Sequence, residues 1–132
     1  MIFVDTSFWV AATNDRDGCH AQAVELLRAH SHDPLITTNE VRGETWTFLR
    51  RRGAHAMAVK FLDDIAASPR VLVIRVSPAI EAEAEAFLRQ RDDREFSWVD
   101  ATSFATMRQQ HATDALAFDG DFSAAGFTEL RR

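Results

Sequence analysis

A short apolar run that ends in an aspartate opens the chain: residues 2–4 are followed directly by Asp5, Thr6 and Ser7. Three apolar residues have the length of a short buried strand, and Asp, Thr and Ser are typical of helix starts. The pattern predicts the first strand of an α/β fold, with Asp5 at the carboxyl end of the sheet, where such folds bind ligands. Because a buried carboxylate is costly unless a cation or hydrogen-bond donors satisfy it, Asp5 needs partners elsewhere in the chain.

Length and composition favour one soluble globular domain spanning residues 1–132. Hydrophobic residues make up 46% of the chain, and no apolar stretch reaches the length of a membrane span, because Asp5 interrupts the longest one. Cys19 is the only cysteine, so a reducing cytoplasm is the predicted location. The net charge of −5 disfavours a general nucleic-acid coat protein, but it permits a basic patch beside an acidic site.

Extended and helical segments alternate along the chain. Strands are predicted near residues 2–4, 35–36, 71–76, 115–118 and 127–130. Helices are predicted near residues 6–12, 19–30, 40–52, 54–67, 79–90 and 98–110. Strands separated by helices predict an α/β fold with a mostly parallel sheet and helices on both of its faces.

Position separates Glu44 from Glu40 on the helix predicted for residues 40–52. The predicted apolar face of this helix is formed by Val41, Thr45, Phe48 and Leu49. Glu44 lies three residues after Val41 and four before Phe48, so it borders the buried stripe. Glu40 lies in the first turn, where a glutamate suits the helix dipole. Glu44 is therefore the better site candidate.

Asp100 begins an apolar stripe on the helix that Ser97 is predicted to cap. Phe104, Met107 and His111 follow it at the spacing of one helix face. A carboxylate at the start of such a stripe is a site candidate. The alternative is that Asp100 only caps the helix and stabilises its dipole.

Asp119 repeats the situation of Asp5, because it follows the apolar run 115–118. The alternative is a turn, since Asp-Gly is a strong turn signal, and Asp121 fits the same turn. Strand-end and helical acids can meet at one edge of a parallel sheet, where their mutual repulsion and lost hydration require a cation. Oxygen ligands favour Mg²⁺ or Mn²⁺ over zinc, and such sites support phosphodiester hydrolysis.

Four blocks carry these acids in order: residues 4–7 (VDTS), 37–45 (TTNEVRGET), 97–104 (SWVDATSF) and 116–122 (LAFDGDF). Together they resemble the four acidic motifs of PIN-domain ribonucleases, specifically the VapC toxin type of toxin–antitoxin pairs. The resemblance extends from residue 2 to about residue 130. It assigns the four family acids to Asp5, Glu44, Asp100 and Asp119.

The resemblance implies a three-layer α/β/α PIN-like sandwich and a Mg²⁺- or Mn²⁺-dependent endoribonuclease. It implies that Asp5, Asp100 and Asp119 hold the metal and that Glu44 binds it or orients the attacking water. It further implies a structured RNA substrate such as tRNA or ribosomal RNA, a homodimer, and inhibition by a small VapB-type antitoxin. The chain departs from the family at Ala117, where many relatives carry a hydroxyl residue two positions before the fourth acid. Asp121 is the candidate to compensate or to bind a second ion.

Three other protein families require residues that this chain lacks or offers only once. A haloacid-dehalogenase-like phosphatase needs a second aspartate where this chain has Ser7, and both that family and phosphoreceiver domains need a lysine for which only Lys60 is available. A calcium loop after Asp119 lacks its glycine and its terminal glutamate, because Ala124 and Leu130 stand there. The remaining alternatives are a PIN domain that binds RNA or a partner without cutting and a metal-dependent phosphohydrolase of another family.

Overall fold

The computed structural model describes residues 1–131, which form five strands and seven helices. The strands are β1 (Ile2–Val4), β2 (Leu35–Thr38), β3 (Val71–Ile74), β4 (Asp114–Leu116) and β5 (Thr128–Glu129). The helices are α1 (Thr6–Thr13), α2 (His20–Ala29), α3 (Asn39–Arg52), α4 (His55–Ala67), α5 (Pro78–Gln90), α6 (Trp98–Gln109) and α7 (Asp121–Ala124).

The strands form one sheet in the order β3-β2-β1-β4-β5, and every neighbouring pair is parallel. The chain moves outward from β1 to β3 and then returns to β4 on the other side of β1. Right-handed crossovers therefore place α1–α4 on one face and α5–α7 on the other. The predicted three-layer α/β/α architecture is confirmed. The strand order reverses between β1 and β4, which is where open α/β sheets form a ligand crevice.

Helix α6 is the most deeply buried helix, because residues 100–107 are all buried. Its central side chain is Phe104, whose ring lies 5.0–5.6 Å from four other rings. These belong to Phe87, Phe96, Phe122 and Phe127. Since Asp100 lies one turn before Phe104, this aromatic cluster anchors the helix that carries the third motif acid.

Strand β4 ends earlier than the sequence predicted, at Leu116 rather than at residue 118. Its neighbour β1 already ends at Val4, so residues 117 and 118 have no strand to pair with on that side. The backbone N–H of Phe118 instead donates to Ser7 Oγ, at 3.0 Å. The short helix α7 that follows was not predicted. Asp119 therefore lies on a loop, three residues after the last residue of the strand.

Two predicted buried positions are wrong. Phe48 is 37% exposed, because Val41, Thr45 and Leu49 already fill the inner face of α3. His111 is exposed as well, since α6 ends before it and its backbone turns to a φ of 57°. Neither side chain contributes to the core.

None of the helices in residues 1–131 has both the length and the apolar character needed to cross a bilayer.

Candidate active site

Asp5 lies directly after β1 and begins α1, and it is only 2% exposed. Its Oδ2 accepts hydrogen bonds from the backbone N–H of Ser7 at 3.2 Å and from Ser7 Oγ at 2.8 Å. Because Ser7 Oγ also accepts the Phe118 N–H, one hydroxyl joins the first turn of α1 to the loop after β4. The Ser7 hydroxyl therefore contacts the residue next to Ala117, the position where many relatives carry a hydroxyl side chain.

Asp100 closes a capping box at the start of α6. Its backbone N–H donates to Ser97 Oγ at 3.0 Å, and the backbone N–H of Ser97 donates to Asp100 Oδ2 at 3.0 Å. These bonds satisfy two N–H groups that the helix itself leaves free. The capping role considered from the sequence is confirmed. The same carboxyl also lines the acidic cavity, so capping does not exclude a role at the site.

Asp119 lies on the loop between β4 and α7, and Asp121 is the first residue of α7; Arg94 contacts both. Arg94 Nε donates to Asp121 Oδ1 at 2.6 Å, and Arg94 Nη2 donates to the carbonyl oxygen of Asp119 at 3.1 Å. The backbone N–H of Asp121 donates to Asp119 Oδ1 at 3.1 Å. Arg94 is 41% exposed, so water screens this ion pair. It partly neutralises Asp121 and restrains the loop.

All five acids singled out from the sequence line one cavity of about 470 Å³ at the carboxyl edge of the sheet. They are Asp5, Glu44, Asp100, Asp119 and Asp121. Carboxylate oxygens of Asp100, Asp119 and Asp121 lie within 4.8 Å of one another, and Asp5 and Glu44 are not part of this close group. Glu44 reaches the cavity from α3, whereas Glu40 is not among the lining residues. The structure therefore brings together the predicted site residues, while their catalytic role stays a prediction.

Burial raises the pKa values of three of these carboxyls. Removal from water, followed by the negative charge of Asp119, raises the pKa of Asp5 to about 8 although Ser7 donates to its charged form. Burial likewise raises the pKa of Asp100 to about 6, against the effect of the Ser97 N–H. Burial is also the main cause of the raised pKa of Asp119. The fully charged cluster is therefore unfavourable at neutral pH without an added positive charge.

The donor set fits a hard divalent cation. The side chains close enough to share an ion are those of Asp100, Asp119 and Asp121, and their carboxylate oxygens are ligands that Mg²⁺ and Mn²⁺ prefer. Thr6 also lines the cavity, and its hydroxyl is buried without a hydrogen-bond partner among residues 1–131. A cation would supply the positive charge that the carboxylates lack.

Sequence reasoning missed Glu129, which supports the fourth-acid loop from β5. Its side chain is 3% exposed, and it accepts hydrogen bonds from the backbone N–H groups of Gly120 at 3.3 Å and Ser123 at 2.9 Å. Arg131 donates to the same carboxylate and to the carbonyl oxygen of Ala117. These bonds hold both flanks of Asp119. Glu129 lies ten residues after that acid, in a segment without a recognisable local motif.

Glu129→Ala is expected to lower the free energy of unfolding by about 1–3 kcal/mol, because it strips two backbone N–H groups of their acceptor. It is also expected to lower kcat more than KM, since the loop of Asp119 loosens. Urea unfolding and RNA cleavage kinetics measure the two effects. Glu83→Ala is the matched control, because Glu83 only pairs with Arg108 at the surface. Equal effects of both variants would contradict the supporting role.

Comparisons with known proteins agree with this geometry. Residues 2–128 match the family model of the PIN domain. The chain belongs to the PIN-domain family. Over 131 residues, this PIN domain is 50% identical to the 23S rRNA-specific endonuclease VapC20 of two Mycobacterium tuberculosis strains. The matched residues cover 99% of this chain and 98% of VapC20.

Solved structures match the same PIN fold over its whole length. The crystal structure of Mycobacterium tuberculosis VapC20, a sarcin-ricin loop cleaving toxin, superposes with a TM-score of 0.93 at 48% identity and covers 100% of both chains. VapBC2 from Rickettsia felis, bound to a DNA fragment from its promoter, superposes with a TM-score of 0.72 at 15% identity, covering 99% of this chain and 98% of that one. At that identity the second likeness shows the fold alone.

Proposed function

We propose that this PIN domain is a divalent-cation-dependent endoribonuclease and the toxin of a VapBC-type toxin–antitoxin pair. The observation that carries the proposal is the convergence of carboxylates from four separate segments in one cavity, at the point where the strand order reverses. Three of these carboxyls have raised pKa values, as expected for groups that await a cation. A PIN domain that only bound RNA would have no need to maintain such a costly cluster.

In this proposal Asp5, Asp100 and Asp119 hold Mg²⁺ or Mn²⁺, and Glu44 holds it or orients the attacking water. When bound, the cation supplies Lewis-acid stabilisation of the charge that develops on the phosphate and makes a water more acidic. Ser7 fixes Asp5 through Oδ2, which leaves Oδ1 for the cation. Asp121 is neutralised in part by Arg94, so it is the weaker ligand candidate or belongs to a second ion.

The likeness to VapC20 supports 23S ribosomal RNA, and specifically its sarcin-ricin loop, as the substrate. We propose a VapB-type antitoxin as the inhibiting partner, a homodimer as the assembly and the cytoplasm as the location. Phosphate chemistry alone carries no sequence preference, so the choice among RNA sites must come from surfaces around the cavity.

Glu44→Gln is expected to lower kcat for RNA cleavage by about a hundredfold, because it removes a charge that would face the metal or the attacking water. Glu40→Gln is the matched control on the same helix, and it is expected to keep wild-type activity. The assay uses a synthetic sarcin-ricin loop RNA with Mg²⁺, with Mn²⁺ and with EDTA, and EDTA is expected to abolish cleavage. Equal activity of the two variants would remove Glu44 from the mechanism.

The same assay separates the proposed enzyme from its alternatives. A PIN domain that binds without cutting would shift the RNA in a gel and release no product with either metal. A phosphohydrolase of another family would release phosphate from small phosphate esters while leaving the RNA intact. Cleavage that persists at full rate in EDTA would overturn the metal dependence.

A further inference from the structure

Phe48 is an exposed aromatic residue at the rim of the acidic cavity. Its side chain lines the cavity together with Glu44 and Arg52, which precede and follow it by four residues on α3. Since four residues advance a helix by about 6 Å, the three side chains form a row along one helix face. The row leads from Glu44 in the acidic cavity outward to the arginines at the end of α3.

The outer part of this row, Phe48 and Arg52, offers two flat side chains on which a base can stack. The guanidinium carbon of Arg52 lies 4.9 Å from the centre of the Phe48 ring. A second concavity of about 390 Å³ adjoins the first and is lined by Glu44, Thr47, Phe48, Arg51 and Arg52. Glu44, Phe48 and Arg52 line both concavities, so the surface is continuous from the carboxylates to the arginines.

Charge complementarity points to a nucleic acid at this surface. Arg50, Arg51 and Arg52 are exposed, and among residues 1–131 none of them forms an ion pair with a carboxylate. Other arginines in the described part of the chain lack such a pair as well, so position distinguishes these three: Arg51 and Arg52 line the concavity beside Phe48. Stabilisation of the dipole at the end of α3 accounts for cations there, but it does not account for an exposed aromatic ring between them and the acids.

We infer that Phe48 and Arg52 form a subsite that binds the unpaired nucleotide next to the scissile phosphate. The Phe48 ring stacks on the base, and the Arg52 guanidinium binds the adjoining phosphate. The base must be unpaired, because only a base that is free of its own duplex presents an open face to a protein ring. This inference rests on the proposed function. It makes Phe48 a determinant of which RNA sites are cut.

The test uses an RNA hairpin that the wild type cleaves in its loop, with an abasic residue placed at each loop position in turn. One position within two nucleotides of the cut is expected to lower the wild-type kcat/KM by about 10-fold to 100-fold. Phe48→Ala is expected to show a similar loss on the intact hairpin and no further loss at that abasic position, since the two changes remove the same contact. Phe48→Trp is expected to restore activity.

Two surface variants serve as controls. Leu72→Ala removes another exposed apolar side chain, and Arg28→Ala removes another exposed charge, so both are expected to keep wild-type kinetics. Arg52→Ala is expected to raise KM and to reduce the slope of log KM against log salt by about 1, whereas Arg28→Ala is not. Wild-type cleavage by Phe48→Ala would overturn the subsite, as would undiminished sensitivity to every abasic position. Unchanged cleavage with loss of antitoxin inhibition would assign the surface to a protein partner.

A binding measurement separates failure of the subsite from failure of the proposed function. Fluorescence anisotropy of the labelled hairpin in EDTA compares Asp5→Asn with Asp5→Asn/Phe48→Ala. One outcome is that neither the wild type nor any variant cleaves RNA, while Phe48→Ala weakens binding of the intact hairpin but not of the abasic hairpin. In that case the proposed function fails and the subsite stands. If the two proteins bind intact and abasic hairpins equally well, or bind neither, the subsite is overturned.

Discussion

Asp5→Asn is expected to reduce RNA cleavage by about a hundredfold to a thousandfold while leaving the fold intact. Asparagine has the same shape and can still accept the two bonds from Ser7, so the start of α1 is preserved. What it loses is the negative charge in the most buried carboxylate of the site. Single-turnover cleavage of a synthetic RNA with saturating Mg²⁺ measures the loss, and circular dichroism checks the fold.

The same variant is expected to be more stable than the wild type at pH 8 when divalent cations are removed. The pKa of Asp5 rises from 3.8 to about 8 on folding, so the folded state favours the protonated carboxyl. In the wild type, the contribution of Asp5 to the free energy of unfolding is therefore fully present below about pH 4. It is lost progressively as the pH rises to about 8. Asparagine stays neutral throughout. Urea unfolding in EDTA at pH 4, 6 and 8 is expected to show a gap that widens with pH.

Asp63→Asn is the matched control for both measurements, because Asp63 is exposed on α4, away from the cavity. It is expected to keep wild-type activity and to leave the pH dependence of stability unchanged. Mg²⁺ is expected to raise the Tm of the wild type and of Asp63→Asn, but to raise that of Asp5→Asn much less. A wild-type rate for Asp5→Asn, or a stability gap that narrows with rising pH, would contradict the role given to Asp5.

Phe104→Ala is expected to lower the free energy of unfolding by about 3–5 kcal/mol. The Phe104 side chain is fully buried at the centre of four neighbouring rings, so its removal leaves a cavity that rigid aromatic groups cannot fill. Because Asp100 lies one turn earlier on α6, the variant is also expected to bind Mn²⁺ more weakly where it remains folded. Urea unfolding and Mn²⁺ titration measure these effects.

Phe104→Leu extends the test to a milder change, and its loss of stability is expected to fall between those of the wild type and Phe104→Ala. Leu72→Ala is the control for removing an apolar side chain, because Leu72 is 59% exposed on the edge strand β3. It is expected to change the free energy of unfolding by less than about 0.5 kcal/mol. A similarly small change for Phe104→Ala would show that α6 is not anchored by the aromatic cluster.

Most elements of the fold were predictable because their signals are local. Ser97 caps α6, as its position in the sequence predicted. The errors arose where a neighbour decides the structure. Strand β4 ends at Leu116 because β1 ends at Val4, and no property of residues 117 and 118 themselves predicted this. The exposure of Phe48 likewise depends on which side chains fill the inner face of α3.

The candidate site was predictable to a different degree for different residues. Strand-end position and helix face indicated Asp5 and Glu44, and the family motifs supported the same residues. The role of Arg94 was not predicted, because its pairing with Asp121 joins residues 27 positions apart. Glu129 gave no signal, since its bonds to the loop of Asp119 require β5 to lie beside β4. The bonds of Arg94 and Glu129 to the loop of Asp119 therefore depend on the packed structure.

The sequence by itself determined most helices and strands, the α/β class and the acids that belong to the family motifs, because periodicity, capping and motif spacing act within a few residues. Only the tertiary structure decided that these acids share one cavity with raised pKa values, and that Phe48 and Arg52 extend it. Segments more than a hundred residues apart meet only through the strand order β2-β1-β4, which places the start of α1 beside the loop after β4. Burial then makes their charges costly, and that cost makes the proposed cation necessary.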